Sequence, residues 1–325
     1  MFAAAPPDAS ALSPAPPLWR RALPWVVALA LGAFLVSRTD LHAVARALGS
    51  VNGPAYVAFV LAFVVAVWAA DTLATWRVYR RVCPALPWRD LLVVRAASYL
   101  PSLVNYHVGQ AYVTYLLART YRTPTARVAG GTLLIYATLL GNLILIAALG
   151  LPFAAASAPW AAGFVLPLGL GVFAYWGVLA LAPRALAGRE ALRPLFDAGV
   201  GGHLRLMLWR LPHVAVLAFG FWANYWFFGI ATPLLPSLTF IPILLLVSAM
   251  PITPQGAGTR ELVALKLLAP FALVDDKAAP VLAAGVAWVA VSTLCYAALG
   301  LVHLRRAAGL LTPHAAGDLS RAVDA

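Results

Sequence analysis

The stretch "SAMPITPQGAGTRELVAL", Ser248 to Leu265, interrupts an apolar run over roughly 238–270 with two prolines, two glycines and an Arg-Glu pair. Pro251 and Pro254 stop one helical limb, and Gly256 and Gly258 permit a close turn with positive φ. A helix restarting near Thr259, capped by its hydroxyl, exposes unpaired N–H groups, and with Arg260 beside them that end favours an anion such as a phosphate. The fold turns on whether this break is a surface loop with a solvated Arg260–Glu261 pair or irregular backbone at membrane depth.

Composition settles the solvent. Hydrophobic residues make up 63% of the 325, charged residues 10%, and the mean hydropathy is +0.87, values that place most of the chain in lipid. The net charge of +12 comes from basic residues lying between apolar runs, with no continuous stripe interleaved with aromatics, so it reports topology and not nucleic acid. Cys83 and Cys295 offer no disulfide framework, and the six histidines show no metal-ligand spacing, so neither a metal nor a cofactor is expected. Residues 1–18, rich in Pro, Ala and Ser, read as a disordered tail. Arg20 and Arg21 then introduce an uncleaved first span, since no convincing cleavage site follows.

Six apolar segments are long enough to cross a bilayer: roughly 22–37, 54–75, 127–150, 160–183, 212–231 and 279–303. Two more, roughly 91–118 and 238–270, are broken near the middle. If each broken segment enters and leaves on one side, 18 of the 23 Lys and Arg residues fall on the same face, which makes that face cytoplasmic and holds both termini there. The order then reads span, span, hairpin, span, used twice in opposite orientation over about 19–150 and 160–306, with 307–325 as a cytoplasmic tail. "SYLP" at Ser98 and "SAMP" at Ser248 recur 150 residues apart at matching points. The expected fold is all-α and polytopic, six spans plus two re-entrant helical hairpins in an inverted repeat, an architecture that puts substrate sites near the midplane.

The first hairpin places Asn105, His107, Gly109 and Gln110 around its break, mostly neutral groups with one titrating near pH 7. In the second, Gln255, Gly256, Gly258, Thr259, Arg260 and Glu261 surround the turn after Pro251 and Pro254. Ionisable groups within a membrane default to function. Asp71 sits beside Trp68, Trp76 and Arg77, which points to an interfacial ion pair with Arg77 or a neighbouring arginine. "GREALRPLFDAGVGGHLRLMLWR" reads as a basic amphipathic loop on the anionic inner leaflet, and no nucleotide-binding or nucleophile motif is visible.

The motif "MPITPQGAGTRELVAL" resembles that of the lysylphosphatidylglycerol synthase transmembrane-region family, the flippase-like domain. Pro251, Pro254, Gly256, Gly258 and Glu261 match its pattern, and Arg260 stands at a position often basic. The first hairpin departs from it, keeping Gly109 but carrying Gln110 in place of an acid. The resemblance implies an inner-membrane protein that moves a phospholipid or polyprenyl-phosphate-linked lipid between leaflets, with lipids bearing an anionic or phosphate headgroup as its partners. A different class, a non-transporting scaffold or accessory subunit for an envelope lipid or glycan transferase, fits the same residues, and a membrane-embedded transferase using Glu261 and His107 is a weaker third.

Overall fold

A computed structural model describes residues 39–250 and 258–311, together with Val26, 29–35 and Ser37. The described residues are helical throughout, and the one β-type contact among them is an isolated antiparallel bridge between Ile230 and Ala272. Residues 29–35 are helical. The helices that follow are α1 (Leu41–Gly49), α2 (Gly53–Val82), α3 (Trp88–Val104), α4 (Tyr106–Thr120), α5 (Thr125–Ala154) and α6 (Ala161–Leu181). After a short α7 (Arg184–Ala187) come α8 (Arg193–Phe227), α9 (Leu234–Ala249), α10 (Thr259–Leu268) and α11 (Ala278–Gly309).

Five of these, α2, α5, α6, α8 and α11, are long and apolar enough to cross a membrane. The sixth expected span, 22–37, lies largely outside the described residues, as do the tails 1–18 and 312–325. The outer faces carry exposed apolar side chains, among them Leu149, Leu170, Phe173 and Leu294, and α6 buries only 17% of its most apolar window. Such surface is costly in water and ordinary in hydrocarbon. The protein is therefore an all-helical, multi-pass membrane protein.

In both broken segments the two helical arms lie against each other. In the first, α3 ends and α4 begins at Asn105, whose extended backbone (φ −161°, ψ 133°) turns the chain and whose side chain caps α4 by accepting the His107 N–H at 2.8 Å. Gly109 lies against Ser98 and Ser102, and at the far ends of the arms the Tyr121 hydroxyl donates to Asp90 at 2.6 Å. In the second, the chain before α9 meets the chain after α10 through the Ile230–Ala272 bridge, where Ala231 N–H donates to the Phe271 carbonyl at 3.0 Å. Each pair of arms thus starts and finishes at one end of the bundle.

The two ends differ in charge. Hydrogen bonds from Tyr121 to Asp90 and from Thr120 to the Leu310 carbonyl, with Gly130 against Ala191 and Gly202 against Arg81, draw the arginine-rich segments around 80–90, 119–127, 184–205 and 305–310 together. At the opposite end Lys266 sits over the Trp160 ring at 4.2 Å.

The packing is reciprocal. The first arm of the first hairpin, α3, lies along α11, and the first arm of the second, α9, lies along α5. A glycine opens each contact. A Cβ on Gly150 would stand 2.5 Å from Thr239 Oγ1 and 2.8 Å from its backbone nitrogen, and one on Gly300 would stand 2.7 Å from Leu100. Between them α2 and α8 cross in opposite directions, with Tyr56 bonded to Asn224, Phe63 against Gly220 and Arg81 against Gly202.

Two readings of the sequence need correction. The stretch 193–210 is not a surface loop but the first half of α8, which begins with Pro194 in its first turn and kinks at Gly199 (φ 57°, ψ −176°), a left-handed value that glycine alone adopts cheaply. The last helix also runs on past 306, with Ala307 fully buried.

Because Gly150 meets backbone that cannot rotate away, Gly150→Ala is expected to cost about 1–3 kcal/mol by overpacking. Gly163→Ala, with nothing within 4 Å of its new methyl, should stay within about 0.5 kcal/mol of the parent. Denaturant unfolding in detergent micelles compares them directly.

Candidate functional site: buried charge between and beneath the hairpins

Residues 251–257 lie outside the described residues, so the structure places nothing for Pro251, Pro254, Gln255 and Gly256. The chain reappears at Gly258 (φ 81°), which is the N-cap of α10, with Thr259 as the first helical residue. The cap differs from the expected one. Glu261 reaches back and its Oε2 accepts the Gly258 N–H at 2.8 Å, satisfying one of the unpaired amides of the helix start. Its Oε1 accepts from Arg260, through Nε at 3.0 Å and also through Nη2. Arg260 is 7% exposed, so the pair is buried by protein and not a solvated headgroup contact. Glu261 packs against Gly285 of α11, and Tyr56 and Tyr225 stand near Arg260.

The first hairpin spends several of its polar residues on the fold. Asn105 is the cap already described. His107 Nδ1 lies 2.9 Å from the Tyr136 hydroxyl on α5, at the exposed tip. Gly109 is required by close approach, since a Cβ there would fall 1.7 Å from Ser102 Oγ and 2.9 Å from the Ser98 carbonyl. Gln110 is buried, and its Oε1 has no hydrogen-bond partner among the described residues.

The strongest concentration of charge is elsewhere, at residues that sequence reasoning did not join. Asp71 on α2 is 5% exposed and forms ion pairs with Arg95 of α3 and with Arg210 of α8, the second through Nη1 at 3.3 Å from Oδ1. His213, one turn beyond Arg210, has Nδ1 at 3.8 Å from the same oxygen and 3.4 Å from Arg210 Nη1. Arg210 Nε donates to Thr138 Oγ1 of α5 at 3.2 Å. Three helices therefore meet on one carboxylate, and a fourth, α5, joins the layer through the bond of Thr138 to Arg210. The layer is closed on both sides by apolar cores: Phe63, Val64 and Val67 of α2 belong to one, and Val78, Tyr79 and Val82 to the other.

The ion pair expected for Asp71 is therefore made with arginines, but with Arg95 and Arg210, buried inside the bundle. Arg77 does not pair with it and lies over the Trp209 ring at 3.9 Å. Arg95 and Arg210, assigned by the sequence to cytoplasmic loops, are 3% and 1% exposed. The signal was present in "LLVVRAASYL" and "MLWRLPHVAVL", where a single arginine stands in apolar sequence on both sides.

Outside the spanning helices, Cys83 ends α2, and burial pushes its thiol above the ordinary range, consistent with a packing role. Burial, reinforced by the bond to Asp90, raises the Tyr121 phenol likewise. Where α4 meets α5, a shallow depression of about 570 Å³ is lined by Tyr115, Arg119, Arg122 and Thr125. Among the described residues no group of three or more His, Cys, Asp or Glu side chains is placed to hold a metal.

Compared with protein-family models, curated proteins and solved structures, the chain matches none. The class defined by the fold is thus that of a multi-pass helical membrane protein with a buried ionic layer, and a narrower assignment has to rest on the arrangement itself.

Removing Asp71 leaves two guanidinium groups buried without a counter-charge. Asp71→Ala is expected to cost about 3–5 kcal/mol, whereas Arg77→Ala should cost about 1 kcal/mol by losing its ring contact. Unfolding midpoints of the purified variants give both values, and equal losses would restore Arg77 as the partner.

Proposed function

We propose that the protein is a lipid translocase of the cell inner membrane, moving a phospholipid or polyprenyl-phosphate-linked lipid between leaflets. In this reading 22–37 is a sixth span, the basic end is cytoplasmic and holds both termini, and the two folded-back segments are re-entrant hairpins of an inverted repeat. The observation that carries it is the reciprocal packing of each hairpin on the last span of the other half. With α2 and α8 antiparallel at the centre, such an arrangement suits rocking of one half against the other around a fixed polar site.

The polar inventory fits a lipid headgroup better than a soluble solute. Glu261 with Arg260 in the second hairpin, and Asn105, His107 and Gln110 in the first, line irregular backbone that hydrocarbon alone would not tolerate. Acyl chains can stay in the bilayer against the exposed apolar faces of α6 and α11. The resemblance of Pro251 to Glu261 to the flippase-like motif agrees with this reading.

The test is movement of labelled lipid by the purified chain in liposomes. Replacing Arg260 or Glu261 by Ala removes a charge-assisted bond of about 1.5–3 kcal/mol, so transfer should slow roughly 10–100-fold while the protein stays folded. Parental rates in both variants would remove these residues from the path. No transfer by the parent chain would favour the scaffold reading, in which the hairpins dock a transferase.

A further inference from the structure

The ionic layer around Asp71 is unbalanced. Arg95 and Arg210 contribute two positive charges against one carboxylate, and His213 adds no negative charge. With Arg210 Nη1 donating to it, His213 Nδ1 is an acceptor and carries no proton. Three buried atoms in and beside this layer have no hydrogen-bond partner among the described residues: Arg95 Nε, Arg210 Nη2 and Tyr99 Oη. Arg95 and Tyr99 lie one turn apart on α3, and Tyr106 at the hairpin tip stands near both. Guanidinium donors left buried and unpaired cost several kcal/mol, so a group with acceptor oxygens would be held strongly at these atoms.

We infer that Arg95 and Arg210 form a binding site for a singly charged phosphate group, held by their remaining N–H donors with Asp71 as the fixed counter-charge. One negative charge brings the layer to neutrality, which a phosphodiester supplies and a doubly charged ion overshoots. Guanidinium forks match phosphate oxygens in geometry, and the tyrosine hydroxyl adds a donor. Asp71 lies six residues along α2 from Arg77, about 9 Å by helix rise, so the group must travel deeper than the basic end. Arg95 rides on the hairpin and Arg210 on α8, so the phosphate links the two. Assigning it to the moving headgroup rests on the translocase reading; binding itself does not.

The experiment uses the full chain in detergent and titrates two probes by calorimetry: inorganic phosphate, and dihexanoyl phosphatidylglycerol below its micelle concentration. Arg95→Gln and Arg210→Gln are expected to weaken binding at least tenfold, and Arg95→Lys and Arg210→Lys, which keep the charge but replace the guanidinium fork by a single ammonium, to weaken it less. Asp71→Asn removes a like charge beside the phosphate, so it should bind several-fold tighter and recover in unfolding midpoint when the probe is added. A merely structural role predicts weaker binding in all variants and no such recovery. Response to the lipid alone identifies a headgroup site, and response to both identifies a general phosphate site. Absence of binding to the parent chain, or equal affinity across the folded variants, overturns the inference. Liposome transfer separates the two readings: binding without transfer keeps the site and removes the translocase, and transfer that Arg95→Lys and Asp71→Asn leave unchanged does the reverse.

Discussion

The carboxylate of Asp71 is the point on which the bundle is organised. Burying an ion at this depth costs several kcal/mol, and that cost is recovered only where partner charges and donors converge with good geometry. Here the convergence comes from two other helices, through Arg95 on α3 and Arg210 and His213 on α8, and Thr138 on α5 holds Arg210 in place. None of these contacts is local in sequence. A shift of α2 by one turn against α8 would separate the charges and leave each unpaired, so the ion cluster fixes the register of a crossing that apolar side chains alone, slippery in lipid, would specify weakly.

Around that layer the molecule is built from close approaches. Gly150 admits α9 to α5, Gly300 admits α3 to α11, and the two glycines lie 150 residues apart, the same interval as "SYLP" and "SAMP". Hydrophobic burial does not drive helices together in a bilayer, so small residues that let backbones touch carry much of the association. The kink at Gly199 has a related use. It bends the start of α8, whose Pro194 lies against Gly130 of α5 while Arg210 lies buried in the core.

Much of this was legible in the sequence, and the reasons differ by element. Apolar runs gave the long helices because length and hydropathy are what a bilayer selects. The helix ends at Asn105 and Met250 were visible because proline, glycine and polar residues interrupt helical periodicity. What escaped was which arginines partner Asp71. Counting arginines as markers of a membrane face treats each as solvated, and that assumption hid Arg95 and Arg210, whose flanking residues are apolar. The basic amphipathic character of 188–210 reads as a loop on the membrane face, whereas from Arg193 onward it is helix, bent at Gly199. The cap on α10 escaped for a smaller reason: Glu261 was read for its charge in a cleft, whereas its spacing from Gly258 is that of a residue closing its own helix.

The turn at Asn105 keeps its own hydrogen bonds. Its N–H donates to the Pro101 carbonyl, its carbonyl accepts from Val108, and its side chain takes the His107 amide. Its backbone groups are thus satisfied within the two arms, and side chains alone, such as His107 bonded to Tyr136, tie it to α5. The far ends of its two arms are tied by the Tyr121–Asp90 bond at the basic end. Between that tie and the turn, the same arm carries Arg95 to Asp71, so one helix sets both the place of the turn and the pairing of the buried carboxylate.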